Sequence, residues 1–103
     1  MRVEVVGRNL EITDAIRTHA EEKVDKLHRY FDGVQQITIT VERVDHSSGH
    51  PVYETELIID VKHHDDFVAH ATGDDLYLTI DQAVQKGSRQ LSDFKEKLKL
   101  NKR

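Results

Sequence analysis

Between Tyr53 and Lys62 the chain alternates without a break. Tyr53, Thr55, Leu57, Ile59 and Val61 fall on one side, and Glu54, Glu56, Ile58, Asp60 and Lys62 on the other. A period of two sustained over this length is an extended strand with one face to bury. A lone strand cannot bury a face, so the rest of the chain has to supply neighbouring strands and a cover.

The neighbours are legible. Val3 and Val5 alternate with Arg2 and Glu4 in a first strand that ends near Gly7. Ile37, Ile39 and Val41 alternate with Thr38, Thr40 and Glu42, and Phe67, Ala69 and Ala71 mark a short last strand. The cover comes from two helical stripes. Ile16, Ala20, Val24, Leu27 and Phe31 recur at helical spacing behind a Thr13 or Asp14 N-cap, and Asp32-Gly33 stops that helix after about Tyr30. Leu76, Ile80, Ala83, Val84, Gly87, Leu91, Phe94 and Leu98 form the second stripe, on a helix capped by Asp74 and running to about Leu100. The cluster from Asp45 to Pro51 reads as a loop, and His63 to Asp66 as a turn.

The predicted order is therefore β-α-β-β-β-α, an α+β fold. The first two strands, joined through a helix, are expected to be parallel, and the two hairpin-like connections antiparallel. This gives a four-stranded mixed sheet with both helices packed on one face. The open face is expected to show Thr38, Thr40, Glu42, Glu54, Glu56, Asp60 and His70, a polar to acidic surface.

Composition narrows the function classes. At 103 residues, 37% hydrophobic and 33% charged, the chain reads as a single soluble domain over residues 1–103. It has no cysteine, hence no disulfide framework and no thiolate chemistry, which fits the cytoplasm. No apolar run approaches the ~20 residues of a membrane span, and Glu4 interrupts the short apolar start. Neither a membrane nor a small-molecule substrate is expected. No glycine-rich phosphate loop or Gly-x-Ser-x-Gly elbow is present, and Ser47, Ser48 and His50 share a loop without a fixed base–nucleophile geometry. The chain does not read as an enzyme, and no cofactor is implied.

The net charge of −4 hides an uneven distribution. From Lys86 to Arg103 there are seven basic residues against two acidic ones, whereas from Asp32 to Asp66 there are eight acidic and two basic. Such a molecule holds a polyanion at one end and repels it at the other. His19, Lys23, Lys26 and Tyr30 share one flank of the first helix, with Arg29 further round. Gln82, Lys86, Arg89, Gln90 and Lys97 share one flank of the second, a composition suited to phosphate and sugar contacts. Asp81 on that helix reads as an intrahelical partner, although Gln85 at i+4 is not basic. Seven histidines raise a metal-binding alternative, with His46 and His50 four apart and a run His63-His64-Asp65-Asp66. Ligation needs three or four groups converging on one point, and solvated surface histidines are the simpler reading of residues in a loop and a turn.

Several segments resemble a known family. Val6-Gly7-Arg8-Asn9-Leu10-Glu11-Ile12-Thr13 is similar to the opening of ribosome hibernation promoting factors, a family that includes ribosome-associated inhibitor A. Lys23-Val24-Asp25-Lys26-Leu27-His28-Arg29-Tyr30-Phe31-Asp32 resembles the end of that family's first helix. Gly73-Asp74-Asp75-Leu76-Tyr77, with Ile80-Asp81, Lys86 and Arg89-Gln90-Leu91, resembles its second. Together these cover nearly the whole chain in order.

The resemblance implies the β-α-β-β-β-α fold and binding to the small ribosomal subunit and its rRNA, in the channel of messenger RNA and of A- and P-site transfer RNA. Occupying that channel would block initiation and preserve idle ribosomes in stress or stationary phase. Carried onto this chain, the RNA-binding residues are Lys23, Lys26, Arg29, Lys86, Arg89, Lys95, Lys97 and Lys99, with Arg8 beside them. Two positions depart from the family pattern. Asp93 stands where a basic residue is common and is expected to weaken phosphate contact. Gly87 stands where a larger apolar residue is usual and is expected to cost about 1 kcal/mol of helix stability. The chain resembles a short form, expected to rely on a separate ribosome modulation factor to pair ribosomes. The competing readings are a free double-stranded-RNA-binding domain and, behind it, a histidine-rich metal-binding protein.

Overall fold

The computed structural model describes residues 2–44 and 49–100. The order is β1 (Arg2–Arg8), α1 (Asp14–Tyr30), β2 (Val34–Arg43), β3 (Tyr53–Val61), β4 (Phe67–Gly73) and α2 (Leu76–Leu100). The strands form one sheet in the order β1-β2-β3-β4. β1 pairs with β2 in parallel, and β2–β3 and β3–β4 are antiparallel. β2 is longer than its alternation suggests, because Val34 joins the ladder through an irregularity before Gln36.

The buried side chains all belong to one face of the sheet and to the two helical stripes. Ile37, Ile39, Val41, Leu57 and Ile59 are fully buried, as are Ala20, Val24, Ile80, Ala83 and Leu91 from the helices. α1 lies against β1 and β2, and α2 against β3 and β4, so the two helices tile one face side by side. A buried polar pair joins this layer. Thr79 Oγ1 donates to the Leu76 carbonyl (2.7 Å), which leaves the Thr55 hydroxyl to donate to Thr79 Oγ1 (3.0 Å). Neither buried hydroxyl is stranded, which would cost ~1–3 kcal/mol.

The helix starts show how local chemistry sets the boundaries. Thr13 Oγ1 accepts from the Ile16 amide at 3.2 Å, the ordinary N-cap of α1. At α2 the cap is Asp75 and not Asp74, since Asp75 Oδ1 accepts from the Leu78 amide at 3.1 Å. An N-cap directly precedes the first helical residue, and the helix begins at Leu76.

Gly87 changes meaning in three dimensions. A Cβ there would lie 2.6 Å from Leu57 Cδ2 and 3.0 Å from Ile59 Cδ1. The missing side chain is what lets α2 press onto β3, so the helix-propensity cost is exchanged for close packing.

α2 is longer than the strand beside it. Twenty-five helical residues span about 38 Å, against about 23 Å for the seven residues of β4. The last turns overhang the sheet, and Lys97, Leu98, Lys99 and Leu100 are exposed.

Candidate nucleic-acid interface

The eight basic residues singled out above all lie on the helix layer, but not on one surface. α1 and α2 meet along a seam lined by Lys23, Lys26 and Leu27 from one side and Asp81, Val84, Gln85 and Ser88 from the other. Lys95 sits on this side of α2, and Lys99 follows it one turn later. Lys86 and Lys97 occupy the opposite flank, toward β4, with Arg89 near the crest.

Asp81 is the centre of the seam. Its Oδ1 accepts from His19 Nε2 at 2.7 Å and lies 3.8 Å from Lys23 Nζ. The expected intrahelical partner does not exist. A carboxylate can only accept, so His19 presents an N–H to it. Tyr77 meets the same imidazole edge-on, with ring centroids 5.0 Å apart. The flank His19–Lys23–Lys26–Tyr30 is therefore partly a helix–helix contact. Further along, Tyr30 donates to Ser92 Oγ at 3.3 Å, and Lys95 Nζ donates to the Tyr30 carbonyl at 3.1 Å. The same ammonium lies 4.4 Å from the centre of the Tyr30 ring, a cation–π contact.

On the other flank, Lys86 Nζ donates to the His70 carbonyl at 2.7 Å and Gln90 Nε2 to the Val68 carbonyl at 3.0 Å. β4 is an edge strand, and two of its carbonyls, those of Val68 and His70, are thereby occupied, which blunts edge-to-edge association. Arg29 pairs with Asp25 at i,i+4 (2.9 Å). Lys26, Arg89, Lys97 and Lys99 hold no hydrogen bond or ion pair among the described residues. Within the eight, these four are the cations without a partner among the described residues.

The sequence missed Asp81, Gln85 and Ser88 as seam residues. Their helical spacing places them on one side of α2, but only the tertiary fold puts α1 there.

The open face of the sheet is different. Glu4, Glu42, Glu54, Glu56 and Asp60 lie there, on the positions alternating with the buried ones. Two arginines, Arg2 and Arg8, mark its β1 edge, and Val6, Ile58 and Val68 add aliphatic patches. His70 stands between two of the carboxylates, 3.9 Å from Glu54 and 3.8 Å from Glu56.

Among the described residues no three histidine, aspartate or glutamate side chains are grouped to hold a metal ion. His46 lies outside the described residues. His64 has a packing role, stacked on Phe67 at 4.6 Å and 11° and touching Phe94 at 4.5 Å. No helix among the described residues is long and apolar enough to cross a membrane.

The chain resembles proteins of known family over almost its whole length. It is 35% identical over 101 residues to a ribosome hibernation promoting factor of Escherichia coli, covering 96% of this chain and 98% of that one. A protein of the same name from Azotobacter vinelandii is also 35% identical, over 94% of this chain and 85% of its own. The Thermus thermophilus Protein Y N-terminal domain superposes with a TM-score of 0.79 at 32% identity, over 91% of this chain and 99% of that domain. A ribosomal subunit interface protein from Coxiella burnetii shares the fold, with a TM-score of 0.80 at 23% identity, over 93% of this chain and 99% of that one. The family model described as Sigma 54 modulation protein / S30EA ribosomal protein matches residues 3–99, and with these relatives it shows that the chain belongs to the ribosome hibernation promoting factor family.

Proposed function

We propose that this protein is a ribosome hibernation factor that binds the small ribosomal subunit through its helix layer and silences it by occupancy, without chemistry. The observation that carries the reading is the separation of charge by face. Lys26, Arg89, Lys97 and Lys99 project from the helices without partners among the described residues, while carboxylates are the main charged groups of the open sheet face. A phosphate-rich surface is drawn to one side of such a molecule and repelled from the other, which fixes the docking orientation.

Lys23, Lys26 and Arg29 from α1, and Lys86, Arg89, Lys95, Lys97 and Lys99 from α2, are the residues assigned to rRNA phosphates. Arg89 and Lys97 are poised as they stand. Lys86 and Lys95 already serve protein carbonyls, and each ammonium has further N–H groups to offer a phosphate. The Asp81 bridge and the Tyr30–Lys95–Ser92 contacts hold the two helices at a fixed spacing, so both basic flanks meet the rRNA as one rigid body.

Lodged in the channel used by messenger and transfer RNA, the domain excludes both and stops initiation in stress or stationary phase. A separate modulation factor is then the agent that pairs silenced ribosomes, and the site of action is the cytoplasm.

The test is co-sedimentation with purified small subunits, set against binding to a free A-form RNA duplex. Preference for the assembled subunit supports the proposal. Equal or tighter binding to the free duplex overturns it in favour of a general double-stranded-RNA binder.

A further inference from the structure

One feature of α2 works against phosphate binding. Asp93 is a carboxylate one turn from both Arg89 and Lys97, and it holds no hydrogen bond or ion pair among the described residues. It lines an open groove of about 370 Å³ with His64, Phe67, Gln90, Phe94, Lys97 and Leu98. That volume is at the lower end of the ~300–1,000 Å³ of small-molecule sites.

The groove has an aromatic floor. Phe94 sits 5.5 Å from Phe67, and His64 lies nearly parallel on Phe67. The turn after β3 puts the imidazole there, since His63 adopts a left-handed φ of 62° and reverses the chain. His64 is exposed, and exposed aromatic rings beside cations are the usual platform for unstacked bases.

The polar lining is just as selective. Gln90 Nε2 is committed to the Val68 carbonyl, and its Oε1 is a buried acceptor with no donor among the described residues. Because Gln90 Oε1 is buried, the polar groups that the wall offers a ligand are the Asp93 carboxylate, which accepts, and Lys97, the one cation among the lining side chains. A base suited to this wall must donate. Guanine presents two adjacent donors, N1–H and the N2 amino group, which a carboxylate accepts in a fork. Adenine and the pyrimidines offer no such pair.

We propose that the groove between the C-terminal half of α2 and the β3–β4 turn takes one unstacked guanine of an RNA strand. His64 and Phe94 supply the stacking surface, Asp93 accepts from N1–H and N2–H, and Lys97 meets the adjoining phosphate. Asp93 then supplies base selectivity inside an otherwise phosphate-binding helix. The inference rests on the reading of α2 as RNA-facing.

The experiment is an NMR titration of the full chain, at one fixed low salt concentration, with the RNA pentamers UUGUU and UUAUU and with free GMP. UUGUU is expected to bind about tenfold tighter than UUAUU, with amide shifts centred on His64, Asp93, Phe94 and Lys97. Asp93→Ala should equalise the two pentamers. His64→Ala, a change in an exposed turn, should weaken both by about tenfold. Equal affinities for the wild-type chain, or a guanine preference that survives Asp93→Ala, overturn the proposal. GMP binding as tightly as UUGUU overturns the assignment to an RNA strand and makes the groove a mononucleotide site. Wild-type co-sedimentation with small subunits, measured in parallel, separates the two readings. Sedimentation without any base preference removes the guanine pocket alone.

Discussion

The two faces of the same four strands have been given opposite tasks. On the covered face, Ile37, Ile39, Val41, Leu57 and Ile59 are sealed under the helices. On the open face, the alternate residues of those strands are Thr38, Thr40, Glu42, Glu56, Ile58 and Asp60, half-buried and, apart from Ile58, polar or acidic. Because side chains alternate strictly along a strand, one backbone carries both patterns. The helices that close the core are then also the elements that present the cations. Core and proposed binding surface are thus two sides of one layer, and the molecule cannot turn its acidic side to a polyanion without repulsion.

That contrast can be broken most sharply by charge reversal. Lys26→Glu with Arg89→Glu places one change on each helix, at residues without a partner among the described residues. Small-subunit affinity should fall by at least about 100-fold, at ~1.5–3 kcal/mol for each of two charge-assisted contacts, with the circular dichroism spectrum unchanged. Glu54→Lys with Glu56→Lys on the open face should alter affinity by less than about threefold, a long-range effect only. If the open-face pair proves the more damaging, the orientation is wrong.

The covered face can be tested by stability. Thr79→Val removes the acceptor of the Thr55 hydroxyl and should cost about 2 kcal/mol in denaturant unfolding. Gly87→Ala gains about 1 kcal/mol of helix propensity but drives a methyl into Leu57, an overpacking cost of ~1–3 kcal/mol. The net should be a loss of about 1 kcal/mol. A stabilised Gly87→Ala variant would mean that α2 is not pressed on β3 as described.

Most of the fold could be read from the sequence because its signals are local and periodic. The alternation in β3 and the stripe from Ile80 to Leu91 each report a buried face without knowledge of the neighbour. What was not legible depends on partners far along the chain. His19 and Asp81 are 62 residues apart, and Lys95 reaches the Tyr30 carbonyl across 65. Helical spacing tells which side of α2 Asp81 occupies, but not that α1 lies there. Gly87 had the same fate, a helix-breaking residue by propensity and a close-approach residue by packing. Asp74 and Asp75 are equally good caps by type, and only the position of the first helical turn decides between them.

The most direct test of binding through the helix layer is the salt dependence of small-subunit affinity, measured by sedimentation over a series of monovalent salt concentrations. Neutralising about six phosphates predicts a slope of log K against log [salt] near −4 to −5, since each contact contributes ~0.7–0.9. In Lys26→Glu/Arg89→Glu the slope should become shallower by about two contacts' worth. A slope near zero, or one unchanged in the double variant, would contradict the assignment of these helices to the ribosome.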